Sequence, residues 1–120
     1  MRKVIFETEI FRTRRDLPRG EAAIKIYLEA LFKLDCLFLG DYPNTPPLYS
    51  AGVRYLAEPP GTEKWKTCPI VLRDRHGDCE DLACWRAAEL TRQGVNARPL
   101  MIAQPTTGKY KLYHIVVRLP

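Results

Sequence analysis

The sequence predicts an α+β fold, helices packed on a small antiparallel β-sheet, and three observations carry that reading. Apolar residues at Ile24, Tyr27, Leu28, Leu31 and Phe32 follow the i, i+3, i+4, i+7 rule, so a helix is expected from Glu21 to about Asp35. A second helical stripe, at Leu82, Ala83, Ala87 and Leu90, follows Gly77-Asp78-Cys79-Glu80-Asp81 and stops at Gln93-Gly94. Residues 95–103 and 109–119 then read as two antiparallel strands. The Gln104-Pro105-Thr106-Thr107-Gly108 stretch between them carries the proline and glycine of a hairpin connection. At 120 residues, 46% hydrophobic and 28% charged, the chain is expected to form one globular domain over residues 1–120.

The remaining elements follow in chain order. Residues 4–13 (VIFETEIFRT) are rich in branched and aromatic side chains in partial alternation, which suits a first strand. Residues 14–20 contain Pro18 and Gly20 and read as a connection. After the first helix, Leu37, Phe38 and Leu39 stay apolar to Gly40, as a final turn or a packed exit. Residues 41–62 form a proline-rich irregular segment with Pro43, Pro46, Pro47, Pro59 and Pro60, a density few hydrogen-bonded elements survive. Within it, residues 48–56 have room for a short strand or a helical turn. A segment of that length in so small a domain either serves function or covers packed surface. Cys68-Pro69-Ile70-Val71-Leu72-Arg73 suits a short helix that opens with Pro69. In the last strand, Leu112, His114 and Val116 share one face, and Tyr113, Ile115 and Val117 the other.

Composition narrows the function classes. The net charge is +5, with basic residues early at Arg12, Arg14, Arg15 and Arg19. No recognition motif or interleaved aromatic platform accompanies them, so they do not point to nucleic acid. A solvated basic surface, or one facing an acidic partner, accounts for them. No apolar run approaches the roughly 20 residues that span a bilayer. The basic start at Met1-Arg2-Lys3 runs into Glu7 without an apolar h-region, so no signal peptide and a cytoplasmic location are expected. Cys36, Cys68, Cys79 and Cys84 are then expected as reduced thiols. They include no Cys-x2-Cys pair, so the sequence calls for no metal.

The chemistry centres on Cys79. Asp78 is a good N-cap, and Asp81 supplies the acidic half of a capping box. Cys79 therefore opens a helix, where free backbone N–H groups and the positive end of the dipole converge. That position favours a thiolate, with a pKa moved from about 8.5 toward neutral or below. Free cysteines are more often inert core residues. The tight Gly-Asp turn before Cys79, and a histidine downstream, favour a nucleophile instead. His114, in a strand expected to lie against this helix, is the candidate base. His76 lies on the turn itself, where it rarely points back at a first-turn side chain. A strand histidine bonded to a backbone carbonyl is the alternative for His114. Cys84, about 500° further round the helix, faces elsewhere and is expected to pack.

Gly77-Asp78-Cys79-Glu80-Asp81-Leu82-Ala83, Gly94-Val95-Asn96-Ala97-Arg98 and Tyr113-His114-Ile115-Val116-Val117 together resemble the transglutaminase-like branch of the papain-like cysteine peptidase superfamily. The closest look-alikes are small transglutaminase-like proteins of tailed phages and prophages. The resemblance covers roughly residues 65–119. It implies a papain-like core with Cys79 as nucleophile and His114 as general base and acid. The backbone N–H of Cys79 would help bind the oxyanion, and the Trp65 indole would stand near it, as an aromatic does in some transglutaminases. Core packing is the alternative for Trp65. The family's aspartate lies on a strand after the histidine, but no acid follows His114 in this chain. Asp78 and Asp81 are the acids nearest to hand for orienting the imidazole, although capping is their simpler task. The implied activity is acyl transfer on amides, by peptide or isopeptide hydrolysis or by glutamine-amide transfer. Its substrate would be a protein or peptide, and no cofactor is implied. A different class is also compatible: a virion-associated phage or prophage structural protein that keeps the fold, assembles with other phage structural proteins and has little or no catalysis.

Overall fold

Helix α3 (Cys79–Arg92) is the element on which the others pack. The computed structural model describes residues 17–58, 64–104 and 112–120. Before α3 come α1 (Leu17–Asp41), a 3-10 turn (Leu48–Ser50), β1 (Arg54–Tyr55), α2 (Cys68–Asp74) and β2 (His76–Gly77); after it come β3 (Arg98–Gln104) and β4 (Leu112–Arg118). β1 and β2 form a short parallel pair. β3 and β4 form an antiparallel pair with Met101 opposite Ile115 and Ile102 opposite His114. The described chain is thus a small α+β domain of three α-helices and two small sheets.

α1 covers one side of α3, and the β3–β4 pair covers another. For that reason α3 buries Ala83, Cys84, Trp85, Ala87 and Ala88, more than the single dry stripe expected from its spacing. The small side chains permit close approach. The Cys84 thiol donates to the Leu28 carbonyl of α1 at 3.7 Å, so Cys84 packs as expected. Leu28, Leu31, Phe32 and Leu39 of α1 and Ile115 of β4 complete the same core, with Met101 and Val117 packed against it. Leu100 and Ile102 face the other side of the sheet and remain more than one-third exposed.

α1 is longer at both ends than its clearest periodicity suggests. Pro18 and Gly20 lie inside its first turns rather than in a connection. A proline there removes an N–H that has no helical partner anyway. At the other end, buried Leu39 continues the inward face of Ile24, Leu28, Leu31 and Asp35, so the apolar 37–39 run is helical. The strand expected at 4–13, Arg12, Arg14, Arg15 and the hairpin loop at 105–108 lie outside the described residues.

The proline-rich segment holds both a helical turn and a strand between residues 48 and 56. Carboxylates from the helices fasten its free backbone N–H groups and those that follow. Glu89 accepts from the Leu48 N–H at 2.6 Å, and Asp78 from the Glu58 N–H at 3.2 Å. Asp81 accepts from the Lys66 N–H at 2.7 Å, and Asp35 from the Cys68 N–H at 2.7 Å. Arg75 ends α2 in the left-handed region (φ 66°), and its guanidinium donates to the Ala51 carbonyl at 2.9 Å.

Glu89 is the tether most readily tested, because its other oxygen is held by Arg86 at 2.8 Å. Glu89→Ala should lower unfolding free energy by about 1–3 kcal/mol, since the Leu48 N–H then stays buried without an acceptor. Glu89→Gln keeps an acceptor and should lose clearly less in urea titrations. Equal losses would mean that the Arg86 ion pair, not the tether, is what matters.

Candidate active site

The site starts with the turn before α3. Asp78 accepts from the Cys79 N–H at 2.7 Å and from the Asp81 backbone, while Asp81 accepts from the Asp78 N–H at 3.0 Å. This is the capping box expected from the sequence. Gly77 makes room for it: a Cβ there would stand 3.0 Å from Asp81 Cβ and 3.2 Å from a Leu82 methyl. Gly94, at φ 89°, follows the Gln93 C-cap and closes the other end of the helix.

Cys79 is partly buried and lines an open cleft of about 430 Å³. Tyr49, Val53 and Tyr55 come from the proline-rich segment, and Leu82 and Arg86 from α3. Residues 114–117 of β4 complete the lining. Four consecutive strand residues can line one cleft only if it runs along the strand edge. Among the described residues that edge of β4 has no partner strand. The Ile115 N–H is accordingly directed at the Cys79 sulfur.

The fold therefore brings Cys79 and His114 to the same cleft. The thiol, however, donates to Glu80 Oε2 at 3.4 Å. Ile115 is buried against the core, so strand alternation turns His114 to the opposite face. His114 and Cys79 thus both line the cleft, His114 from the face of β4 opposite Ile115. His76 lies elsewhere, with Nδ1 3.3 Å from Lys66 Nζ. Trp65 is not part of the cleft wall. Its ring packs edge-to-face on Tyr27 at 6.3 Å, against the core. Asp78 and Asp81 are engaged with backbone N–H groups, and Asp78 also takes the Tyr55 hydroxyl. The Cys79 N–H, expected to face an oxyanion, is already donated to Asp78.

The electrostatics reverse one expectation. The Cys79 thiol is pushed up to about 12, chiefly by burial. The Ile115 N–H opposes that rise, and the charges of Glu80 and Asp78 add to it. The Cys79 N–H at the helix start is taken by the Asp78 carboxylate and does not face the sulfur's charge. Burial likewise raises Cys36, Cys68 and Cys84, and the last two are fully inaccessible. Cys79 and Cys36 are the partly accessible thiols.

Glu80, Tyr55 and the Ile115 N–H were not visible as site groups in the sequence. An acid in the first turn reads as a partner of the helix dipole, and only the fold shows that Glu80 is 5% exposed. Burial, with Asp81 and Asp78 nearby, pushes its carboxyl up to about 8. Burial also pushes Asp81 up to about 7, against the Lys66 and Asp78 N–H groups that hold it down. Among the described residues no lysine or arginine forms an ion pair with Asp78, Glu80 or Asp81. Comparisons with protein-family models, curated proteins and solved structures return no match.

Glu80 makes stability depend on pH with a definite sign. Its folded pKa of about 8 lies above the ordinary 4.5, so the fold favours the neutral acid. That contribution is fully present below about pH 4.5 and is lost as pH rises through 8. The melting temperature should fall across this interval, and less steeply in Glu80→Gln. A rising wild-type melting temperature, or equal slopes in the two proteins, would contradict the assignment.

Proposed function

We propose that the chain is a papain-like, transglutaminase-like protein that carries out cysteine-dependent acyl transfer on amides of a protein or peptide. The observation that carries this reading is a cysteine on the first turn of a helix, lining a cleft with His114 and facing the Ile115 N–H. In the reaction, Cys79 sulfur bonds to the amide carbon while its proton passes to His114. The tetrahedral oxyanion then collapses, and the leaving amine takes the proton from His114. Water or a second amine resolves the acyl-enzyme. The Ile115 N–H faces the reacting sulfur, and Tyr55 lines the same cleft. A thiol near 12 favours deprotonation coupled to attack over a preformed thiolate.

A second reading is a phage or prophage structural or assembly protein with little or no catalysis. The engaged Cys79 N–H and the protonated thiol favour it. So do Ile26, Leu34 and Leu37, which are 69%, 50% and 67% exposed along one flank of α1. Exposed apolar positions of that kind suit a chain that meets others.

Limiting iodoacetamide, followed by peptide mapping, tests the nucleophile. Cys79 should label ahead of Cys36, Cys68 and Cys84, at a rate that climbs with pH from 6 to 9. An activated acyl ester should leave its acyl mass on Cys79, and His114→Ala should slow that step at least tenfold. Preferential labelling of another cysteine, or no adduct on Cys79, would leave the assembly reading standing.

A further inference from the structure

Helix α1 is apolar on two faces. Its inward face sets Leu28, Leu31 and Leu39 into the core. Nearly opposite, Ile26, Ala30, Leu34 and Leu37 follow one another at spacings of four, four and three, and all four are exposed. A surface helix ordinarily turns polar side chains to solvent, and a helix apolar all round is a covered one. Among the described residues nothing in this chain covers the outer stripe. One edge of the stripe is charged: Lys33 and Glu29 form an i, i+4 pair there at 3.6 Å.

We propose that two copies of this chain associate through the outer face of α1, the two helices running antiparallel about a two-fold axis at the level of residues 31 and 32. Both the sizes and the charges along the stripe select this partner. In that register Ile26 meets Leu37 of the second copy, and Ala30 meets its Leu34, so each bulky side chain faces a partner it fits. An antiparallel two-fold also sets like edge against like edge. Lys33 of the second copy then stands only about 2 Å along the axis from the level of Glu29. The four charges alternate across the boundary, each lysine beside the other copy's glutamate. A parallel pair would set Ala30 against Ala30 and turn the Glu29–Lys33 edge toward Leu34, leaving a gap and matching no charges. The association is a property of α1 and needs neither reading of the cleft.

The test is sedimentation equilibrium of the reduced full chain over a wide concentration range. The average mass should rise with concentration from 13.8 kDa toward twice that value. Leu37→Glu and Ile26→Glu should each hold the mass at 13.8 kDa while keeping a wild-type melt in dilute solution, because both positions are exposed. Glu29→Lys and Lys33→Glu should each weaken the dimer at least threefold, and the double exchange should restore it, since the pairs across the axis are then remade. A mass fixed at 13.8 kDa at every concentration, with the face bare or covered by residues 1–16, would overturn the inference. So would a dimer that survives Leu37→Glu, or a double exchange that restores nothing. A dimer with no Cys79 acyl adduct keeps this inference and removes the acyl-transfer reading. An acyl adduct on a strictly monomeric chain does the reverse.

Discussion

Carboxylates bonded to backbone N–H groups hold this domain in register. A chain segment dense in proline cannot satisfy its own amides, because proline donates nothing and bars its neighbours from helix. Here the acceptors come from the helices: Glu89 and Asp81 from α3, Asp78 from its cap and Asp35 from α1. These bonds lay the segment along α3 and bring Tyr49, Val53 and Tyr55 to the cleft beside Cys79. Charge-assisted bonds of this type are each worth about 1.5–3 kcal/mol, more than neutral ones. The segment is therefore ordered by a few strong anchors rather than by repetitive structure.

The same anchors concentrate negative charge where the thiol sits. Two opposing influences act on Cys79. A helix N-terminus stabilises an anion by about 0.3–1 kcal/mol, up to about 2 when partly buried. Burial and the adjacent acids act the other way and prevail, so the sulfur holds its proton. The cap is part of the cause. Asp78 stabilises the helix by taking the N–H that an unprotected first turn would offer to a thiolate. Helix stability and thiol activation thus draw on one donor, and stability has taken it.

Local signals made most of the architecture legible. The capping box, Gly94, the short helix containing Pro69 and the antiparallel strand pair all depend on neighbours within a few residues. The packing of Cys84 followed from helical rotation alone. What was not legible depends on tertiary placement. Asp35 reads as a helix-end polar residue, but it lies buried among Leu28, Leu31 and Leu39 because it caps α2. The full span of α1 was obscured by Pro18 and Gly20, which local rules assign to a connection. For the site, motif and topology led to the expectation of Cys79 and His114 near one another, and both line one cleft. The protonation state was not expected, because no local pattern reports that Glu80 turns inward.

These acids also impose one electrostatic condition on the site. Glu80 carries an orphaned oxygen, Asp81 and Asp35 are raised by burial, and Asp78 has no cationic partner among the described residues. Such a site becomes less costly in two ways. The carboxyls take protons, or positive charge forms nearby. Protonation answers at low pH and leaves the sulfur a thiol. In the reaction proposed above, an imidazolium formed at His114 as the sulfur attacks would supply that charge, stabilised by the carboxylates that oppose a resting thiolate. Under that proposal, acids that hold the thiol protonated at rest would favour the transition state in which its proton has moved to His114, so one set of charges would oppose the resting thiolate and assist its reaction.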